Sequence, residues 1–273
     1  MTHAFDPGYG AEPWRSLAQD YPDETVYPLE AFRVEWGPVF HRGRLDGTAR
    51  LVVIGQDPSV HEVITRRILI GEAGQRVQGF LGKLGLDSSY VMVNTFLYSV
   101  YGQQGGEQHK HDPKIASYRN RWLDALLVGT NVEAVVAFGA LADDAWTTWA
   151  AAQPKRAGEL SYAHVTHPTE PISSSGGDKT KEAAATRAML ENWNGALGPL
   201  HNAIRHPDAV RALVSYGDAL GPSDVVEIPE GDLPAGLPSW MRSVESWAVR
   251  SGASTDEKRA TIQVAIPKDE WPW

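Results

Sequence analysis

Hydrophobic positions in the first three quarters of the chain follow two alternating patterns. Four short runs rich in β-branched and aromatic residues predict buried strands, at residues 50–55, 90–94, 133–138 and 160–165. Apolar residues at helical spacing predict helices between and after these runs, at residues 75–84, 115–128, 140–150 and 180–193. Helices that connect successive strands produce parallel sheets with right-handed crossovers. We therefore predict an α/β fold with three α/β/α layers and a central four-stranded parallel sheet.

The pattern changes in the last quarter of the chain. Helices are predicted at residues 207–220 and 239–251, and a late strand at residues 261–266. We therefore divide the chain into a main domain, residues 1–197, and a mostly helical C-terminal extension, residues 198–273. Since the extension is rich in tryptophan and other apolar residues, we expect it to pack on the core or to contact a second copy or another protein.

Composition narrows the class of protein. The chain has 273 residues, 42% of them hydrophobic, and no cysteine. The lack of cysteine excludes disulfides, zinc–thiolate sites and cysteine-ligated iron–sulfur clusters. We expect no membrane span, because no apolar run reaches about 18 residues. The N-terminus lacks the pattern of a secretory signal, and we expect a cytoplasmic protein. The net charge of −9 argues against a generic polyanion binder, although one surface can still be basic.

Polar residues follow three of the predicted strands. Asp57 comes after the first strand, Asn94 ends the second and His167 follows the fourth. A parallel sheet would gather these side chains at one edge. Their chemistry suits the removal of a planar base from a sugar. A carboxylate can stabilise a cationic sugar or orient water, an amide can recognise a pyrimidine edge, and a histidine can hydrogen-bond the departing base.

Four motifs in order resemble the uracil-DNA glycosylase superfamily. Residues 55–58, GQDP, are similar to the first active-site motif of the classical branch, and residues 167–173, HPTEPIS, are similar to its second motif with one residue inserted. Residues 69–75, LIGEAGQ, resemble a stretch of the iron–sulfur-containing branch, and Asn94 falls where the superfamily keeps its base-reading asparagine. The resemblance covers roughly residues 51–193 and none of the extension.

The resemblance implies a role for each matching residue. Asp57 would position water and stabilise the cationic sugar, and His167 would stabilise the departing uracil anion. Asn94 would recognise the edge of uracil, and the Gln56 backbone would line the pocket. The nucleotide would be flipped out of the stack, because its glycosidic carbon cannot be reached inside a duplex.

The resemblance also implies DNA contacts. Ile172 would enter the base stack as a wedge, and Ser173 and Ser174 would lie near phosphates. Arg66 and Arg67 are further candidates for phosphate contacts, although a solvated turn explains them nearly as well.

Three departures place the chain outside the two best-known branches. Ser59 stands where the classical branch has a tyrosine that excludes the thymine methyl group. Leu69 stands where a phenylalanine usually stacks on the base, and Phe96 is a candidate substitute. The chain also lacks the cysteines that hold the cluster of the other branch. We expect no cofactor and no metal.

Other motifs have simpler explanations. Residues 109–112, HKHD, have metal-ligand residue types but are predicted to form a solvated surface turn rather than a metal site or a covalent DNA-binding histidine. A second His-Pro pair, His206-Pro207, is interpreted as a helix start. Four tryptophans at helical spacing are predicted to lie in the core: Trp122, Trp146, Trp149 and Trp193.

These observations favour a monofunctional glycosylase that hydrolyses uracil from DNA in base excision repair and leaves an abasic site. Two alternatives remain open within the resemblance. One is a glycosylase of broader range that acts on other deaminated bases or on mismatched thymine, and the other is a protein that holds damaged DNA, covalently or not, without turnover. A third alternative does not depend on the resemblance: the chain could be a nucleotide-binding protein or a hydrolase with no DNA substrate.

Overall fold

A five-stranded sheet forms the centre of the protein, seen in a computed structural model that describes residues 8–243 and 246–271. Its strands are β1 (Arg42–Gly43), β2 (Leu51–Gly55), β3 (Tyr90–Asn94), β4 (Ala134–Phe138) and β5 (Ser161–Val165). They lie in the order β1-β3-β2-β4-β5, and β2 to β5 are parallel. The predicted four-stranded parallel sheet is therefore confirmed.

The fifth strand, β1, was not predicted from the sequence. It is two residues long and pairs antiparallel with β3 at the edge of the sheet. A two-residue strand that includes Arg42 has no apolar alternation, so its pairing depends on contacts that lie far away along the chain.

Ten helices are present in the described part of the chain, and the four predicted between and after the strands of the main domain are among them. They are α1 (Trp14–Gln19), α2 (Val60–Thr65), α3 (Glu72–Lys83), α4 (Gly102–His109), α5 (Pro113–Leu127), α6 (Ala140–Ala152), α7 (Pro154–Ala157), α8 (Glu170–Ser175), α9 (Lys179–Ala203) and α10 (Thr255–Ala260). The 109–112 motif lies at the surface turn between α4 and α5, as predicted, although His109 ends α4. Asp112 is the N-cap of α5, where its carboxylate accepts the N–H groups of Lys114 and Ile115.

Alternate residues of the strands face two separate cores. Val52 and Ile54 of β2 pack with α5 and α6, whereas Leu51 and Val53 pack with α3 and α9. This alternation follows from the two-residue period of a strand, and helices on both faces make the three predicted layers. The four tryptophans predicted to lie in the core are all buried.

The C-terminal extension differs from its prediction in two places. Residues 207–220 form no helix, and three of their apolar side chains are exposed, Val210 at 97%, Val214 at 62% and Leu213 at 36%. Long-range polar contacts hold this segment instead. The carboxylate of Asp208 accepts the backbone N–H groups of residues 87–89. His206 does not start a helix, since its Nδ1 lies 2.6 Å from a carboxylate oxygen of Glu133.

The second predicted helix, residues 239–251, is replaced by two shorter elements. A 3₁₀ turn covers Ser239–Arg242, and strand β6, Ala248–Arg250, pairs antiparallel with β7, Ile262–Val264. The late strand predicted at residues 261–266 is therefore present. Cross-strand pairing with β7 satisfies the β6 backbone, which outweighs the helical spacing of the tryptophans in this segment.

The extension packs on the main domain. Ile228, Leu233, Met241 and Trp247 form a small buried cluster with Ile70, which precedes α3. The boundary drawn at residue 197 falls inside α9, which continues to Ala203. No helix among the described residues is long and apolar enough to cross a bilayer.

Candidate active site

The carboxyl ends of β2 and β4 form the centre of the candidate site. The chain leaves β2 toward α3 on one face of the sheet and leaves β4 toward α6 on the other face. Open α/β sheets bind ligands at such a switch point, because the diverging connections leave a crevice. Gln56 follows β2 and Gly139 follows β4, so both residues border this crevice.

Asp57 lies in the turn after β2. Its Oδ2 accepts the backbone N–H of Val100 at 3.1 Å, which orients the carboxyl group. Burial raises the pKa of Asp57 to about 6, while the Val100 hydrogen bond and the positive charges of Arg250 and Arg33 act in the opposite direction. At neutral pH the group is mainly ionised, so it can stabilise a nearby positive charge.

His167 follows β5 and presents one ring nitrogen to a fixed local partner. Its Nδ1 lies 3.3 Å from the backbone nitrogen of Thr169, which can only donate. In a neutral ring Nδ1 is then the acceptor and Nε2 carries the proton. Burial, assisted by the nearby positive charge of Arg76, lowers the pKa of His167 to about 4. The imidazole is therefore neutral at physiological pH and has one N–H to donate from Nε2.

Asp57 and His167 line the same open cavity of about 680 Å³. Gln56 and Ser173 share this wall with them, so four of the predicted site residues are brought together. The other lining residues are Val100, Gly102, Gly106, Glu107, Leu141, Thr169, Glu170 and Arg250.

Gly139 allows the two halves of this wall to approach each other. Its φ of +91° is one that side chains rarely adopt. A Cβ atom there would collide with the Gln56 side chain and lie 3.1 Å from the Cβ of His167. The positive φ therefore favours glycine at this position, and the contact with His167 leaves little room for a side chain.

Asn94 lies beside the cavity rather than on its wall. It pairs with Gly55 across β2 and β3, and a Cβ atom on Gly55 would collide with its Oδ1. The side chain is buried, and its Nδ2 has no hydrogen-bond partner in the structure. Asn94 also borders a second, small cavity of about 20 Å³ together with Phe96. An unpaired buried amide donor is costly, so this group is available for a ligand.

Glu62 is a site residue that sequence reasoning missed. This buried carboxylate accepts the backbone N–H groups of Ser59 and Leu69, and so joins the turn after β2 to the turn before α3. Burial raises the pKa of Glu62 to about 7, and the negative charge of Asp57 acts in the same direction. The sequence contains a signal for it, because Ser59 and Glu62 have the spacing of a capping box at the start of α2.

Other predicted residues lie away from the cavity. Leu69 is buried with φ of +53°, and Phe96 is fully buried against Phe32, so neither presents a free face for stacking. Arg66 donates a hydrogen bond to the Trp36 carbonyl at 2.5 Å. Arg67 is buried and donates to the carbonyl of Arg66. The structure therefore does not bring these two arginines to the cavity.

The candidate wedge lies on α8, next to the cavity. Its side chain, Ile172, is 38% exposed. Ser173 and Ser174 are exposed beside it, and Ser173 faces the cavity. Ser59 is also exposed, at the N-cap of α2.

Arg250 is a charged lining residue that the sequence did not reveal. It comes from strand β6 of the C-terminal extension and lies on the cavity wall with Asp57. No motif marks it, because its position depends on the fold of the extension. Over the described ranges, no group of three or more histidine, aspartate or glutamate side chains is arranged to hold a metal ion.

Comparison with known families identifies the main domain. A family model described as the uracil DNA glycosylase superfamily matches residues 42–190, more than half of the chain. The match includes Asp57, Asn94 and His167 and ends before the extension. No curated protein matches the chain. The chain belongs to the uracil DNA glycosylase superfamily.

Proposed function

We propose that the protein is a monofunctional DNA glycosylase that hydrolyses the N-glycosidic bond of flipped-out uracil and leaves an abasic site. The observation that carries this proposal is the pairing of Asp57 and His167 on one cavity wall, in a chain of this superfamily. The two groups have complementary charge states at neutral pH, one anionic and one neutral with a free N–H.

These charge states match the two centres of the reaction. As the glycosidic bond breaks, positive charge develops on the sugar and negative charge on the base. The Asp57 carboxylate stabilises the cationic sugar and orients the attacking water. The Nε2–H of neutral His167 donates to the oxygen on which the negative charge of the base develops. A protonated imidazole is not needed, because a positioned neutral donor stabilises a developing oxyanion.

Two further residues support recognition of a flipped base. The unpaired Nδ2 of Asn94 is a donor for a uracil carbonyl, close to the turn that carries Asp57. Ile172 projects next to the cavity from α8 and fills the gap that the flipped nucleotide leaves in the stack. Contacts of this kind offset the unstacking cost of a few kcal/mol.

A strand-scission assay tests this proposal. The purified protein is incubated in chelator with oligonucleotides that contain uracil, and abasic sites are then cleaved with alkali. We expect scission at the uracil position with the wild type and little with Asp57→Asn. No scission with any modified base would refute glycosylase activity. A persistent complex without released base would support a protein that only binds damaged DNA.

The same assay addresses the range of substrates. Ser59 is small and exposed, and it caps α2 instead of filling the site as a tyrosine would. This observation favours a second candidate function, a glycosylase that also accepts thymine or other deaminated bases. Equal rates on uracil and on mismatched thymine would support the broader range. A large excess of rate on uracil would show that another side chain excludes the methyl group.

A further inference from the structure

The C-terminal extension brings a cation to the wall of the candidate cavity. Its hairpin of β6 and β7 rests on α2, where the Nε2 of His61 accepts the N–H of Ala248 at 3.3 Å. The ring of Trp247 packs edge-on against His61, with 4.8 Å between centroids. Arg250 lies two residues beyond this anchor, so a defined backbone holds it beside Asp57.

Among the residues that the structure describes, the guanidinium of Arg250 makes no contact that would stabilise the hairpin. Its side chain is exposed, and within the described ranges it makes no hydrogen bond or ion pair. The charge of Arg250 lowers the pKa of Asp57. It also lowers the pKa of Arg33, which is lowered mainly by burial. An arginine that only stabilised the hairpin would be expected to contact a carboxylate or a carbonyl group.

Three arginines are grouped on this side of the cavity, since the charges of Arg250 and Arg259 both act on buried Arg33. The cavity wall also carries the carboxyl groups of Asp57, Glu107 and Glu170. Arg33 is buried between the rings of Trp36 and Tyr101, at 4.4 and 4.1 Å from their centroids. It donates to the carbonyl of Arg259, whose own guanidinium lies 4.7 Å from the Tyr101 centroid. Arg250 completes the group and faces the cavity. Positive charges held close together repel each other, and a bound anion relieves that repulsion.

The chemistry of a guanidinium indicates that the bound anion is a phosphate. Arginine binds phosphate through two parallel N–H donors, and a DNA strand bent to flip out a nucleotide brings its phosphates to the mouth of the pocket. In a chain with a net charge of −9, a cation placed here offsets the general repulsion of DNA. We propose that Arg250 binds a backbone phosphate next to the flipped nucleotide, so that the extension supplies part of the DNA-binding site. This inference rests on the proposed function.

The test compares two arginine variants by DNA binding. Arg250→Gln removes the cation at the cavity. Arg211→Gln, the control, removes a cation paired with Asp87, which lies before the amino end of β3 and so at the other end of the strands. The probe is a fluorescent duplex that contains one non-hydrolysable 2′-fluoro-deoxyuridine, and its Kd is measured from 50 to 200 mM salt. Arg250→Lys, which retains the charge, is the conservative variant.

We expect Arg250→Gln to weaken binding about tenfold at low salt and to reduce the slope of log Kd against log salt by about 0.9, the value for one phosphate contact. Arg211→Gln should leave the slope unchanged, and Arg250→Lys should retain most of it. An unchanged Kd and slope in Arg250→Gln would overturn the inference, as would weaker binding with an unchanged slope.

Failure of the proposed function gives a different result. If the wild type releases no base from any substrate, the glycosylase proposal fails, whatever DNA binding the Arg250 variants show. If the wild type releases uracil and Arg250→Gln binds DNA with the wild-type slope, only the phosphate contact is refuted.

Discussion

Replacing Asp57 by asparagine should make the protein more stable while it removes most of the activity. The pKa of Asp57 is raised from 3.8 to about 6, so the folded state holds this proton more tightly than the unfolded chain does. Between these two pKa values the folded state binds more protons, and stability therefore falls as pH rises through this window. Above about pH 6 the fold carries the full cost of the ionised group.

The size of this effect follows from the shift. A change of about two pKa units corresponds to about 3 kcal/mol. Because the carboxyl group borders an open cavity, water screens part of this cost, and we expect Asp57→Asn to gain about 1–3 kcal/mol at pH 7.5. Asparagine keeps an oxygen to accept the Val100 N–H. For a chain of this size the gain raises Tm by roughly 2–5 °C.

Thermal unfolding at two pH values measures the prediction. At pH 7.5 the variant should melt above the wild type. At pH 5 the wild-type carboxyl group is mostly protonated, so the difference in unfolding free energy should fall to about half. A variant that is no more stable at pH 7.5, or that is stabilised equally at pH 4 and pH 7.5, would refute a buried carboxylate with a raised pKa at this position.

Three other variants test the arrangement of the site. His167→Gln should slow base release about 10²- to 10³-fold in single-turnover assays, whereas the control His206→Gln, in the other His-Pro pair, should leave the rate unchanged. Gly139→Ala should lower both Tm and activity, because its φ of +91° strains any side chain and its Cβ would press on the Cβ of His167, whereas Gly82→Ala has open space around it in α3 and should lower neither. Glu62→Ala should reduce the free energy of unfolding in urea by about 1–3 kcal/mol, because it leaves two backbone N–H groups without their acceptor. A wild-type value for any of these three would contradict the role assigned to that residue.

The core of the fold could be predicted because its signals are local. The four parallel strands lie within one residue of their predicted bounds, since each is a short apolar run between turn residues. Parallel pairing then places the loops after β2, β3 and β5 at one edge. This brings Asp57 and His167 to one cavity, while Asn94 lies beside it, paired with Gly55.

The extension could not be predicted in the same way. Residues 207–220 have the spacing of a helix, but their conformation is set by Asp208 and by contacts with the loop before β3. Arg250 reaches the cavity only because β6 pairs with β7 and rests on α2. Pairings between distant segments of the chain have no local periodicity, so a sequence pattern does not reveal them.

Glu62 is an intermediate case. Its capping-box spacing with Ser59 is visible in the sequence. Its second contact, the backbone N–H of Leu69, requires the turn before α3 to fold back, and only the structure shows this.

The central claim is that ionised Asp57 and neutral His167 act together on one glycosidic bond. Its most direct test is the single-turnover rate of uracil release between pH 5 and pH 8 by the wild type and by Asp57→Asn. The pKa of about 6 for Asp57 and of about 4 for His167 predict a wild-type rate that rises through about pH 6 and is constant above pH 7. The rate at pH 5 should be about tenfold lower than at pH 7.5, and the variant should be slow and independent of pH. A wild-type rate that is constant or falls across this range, or a variant that keeps the rising limb, would contradict the claim.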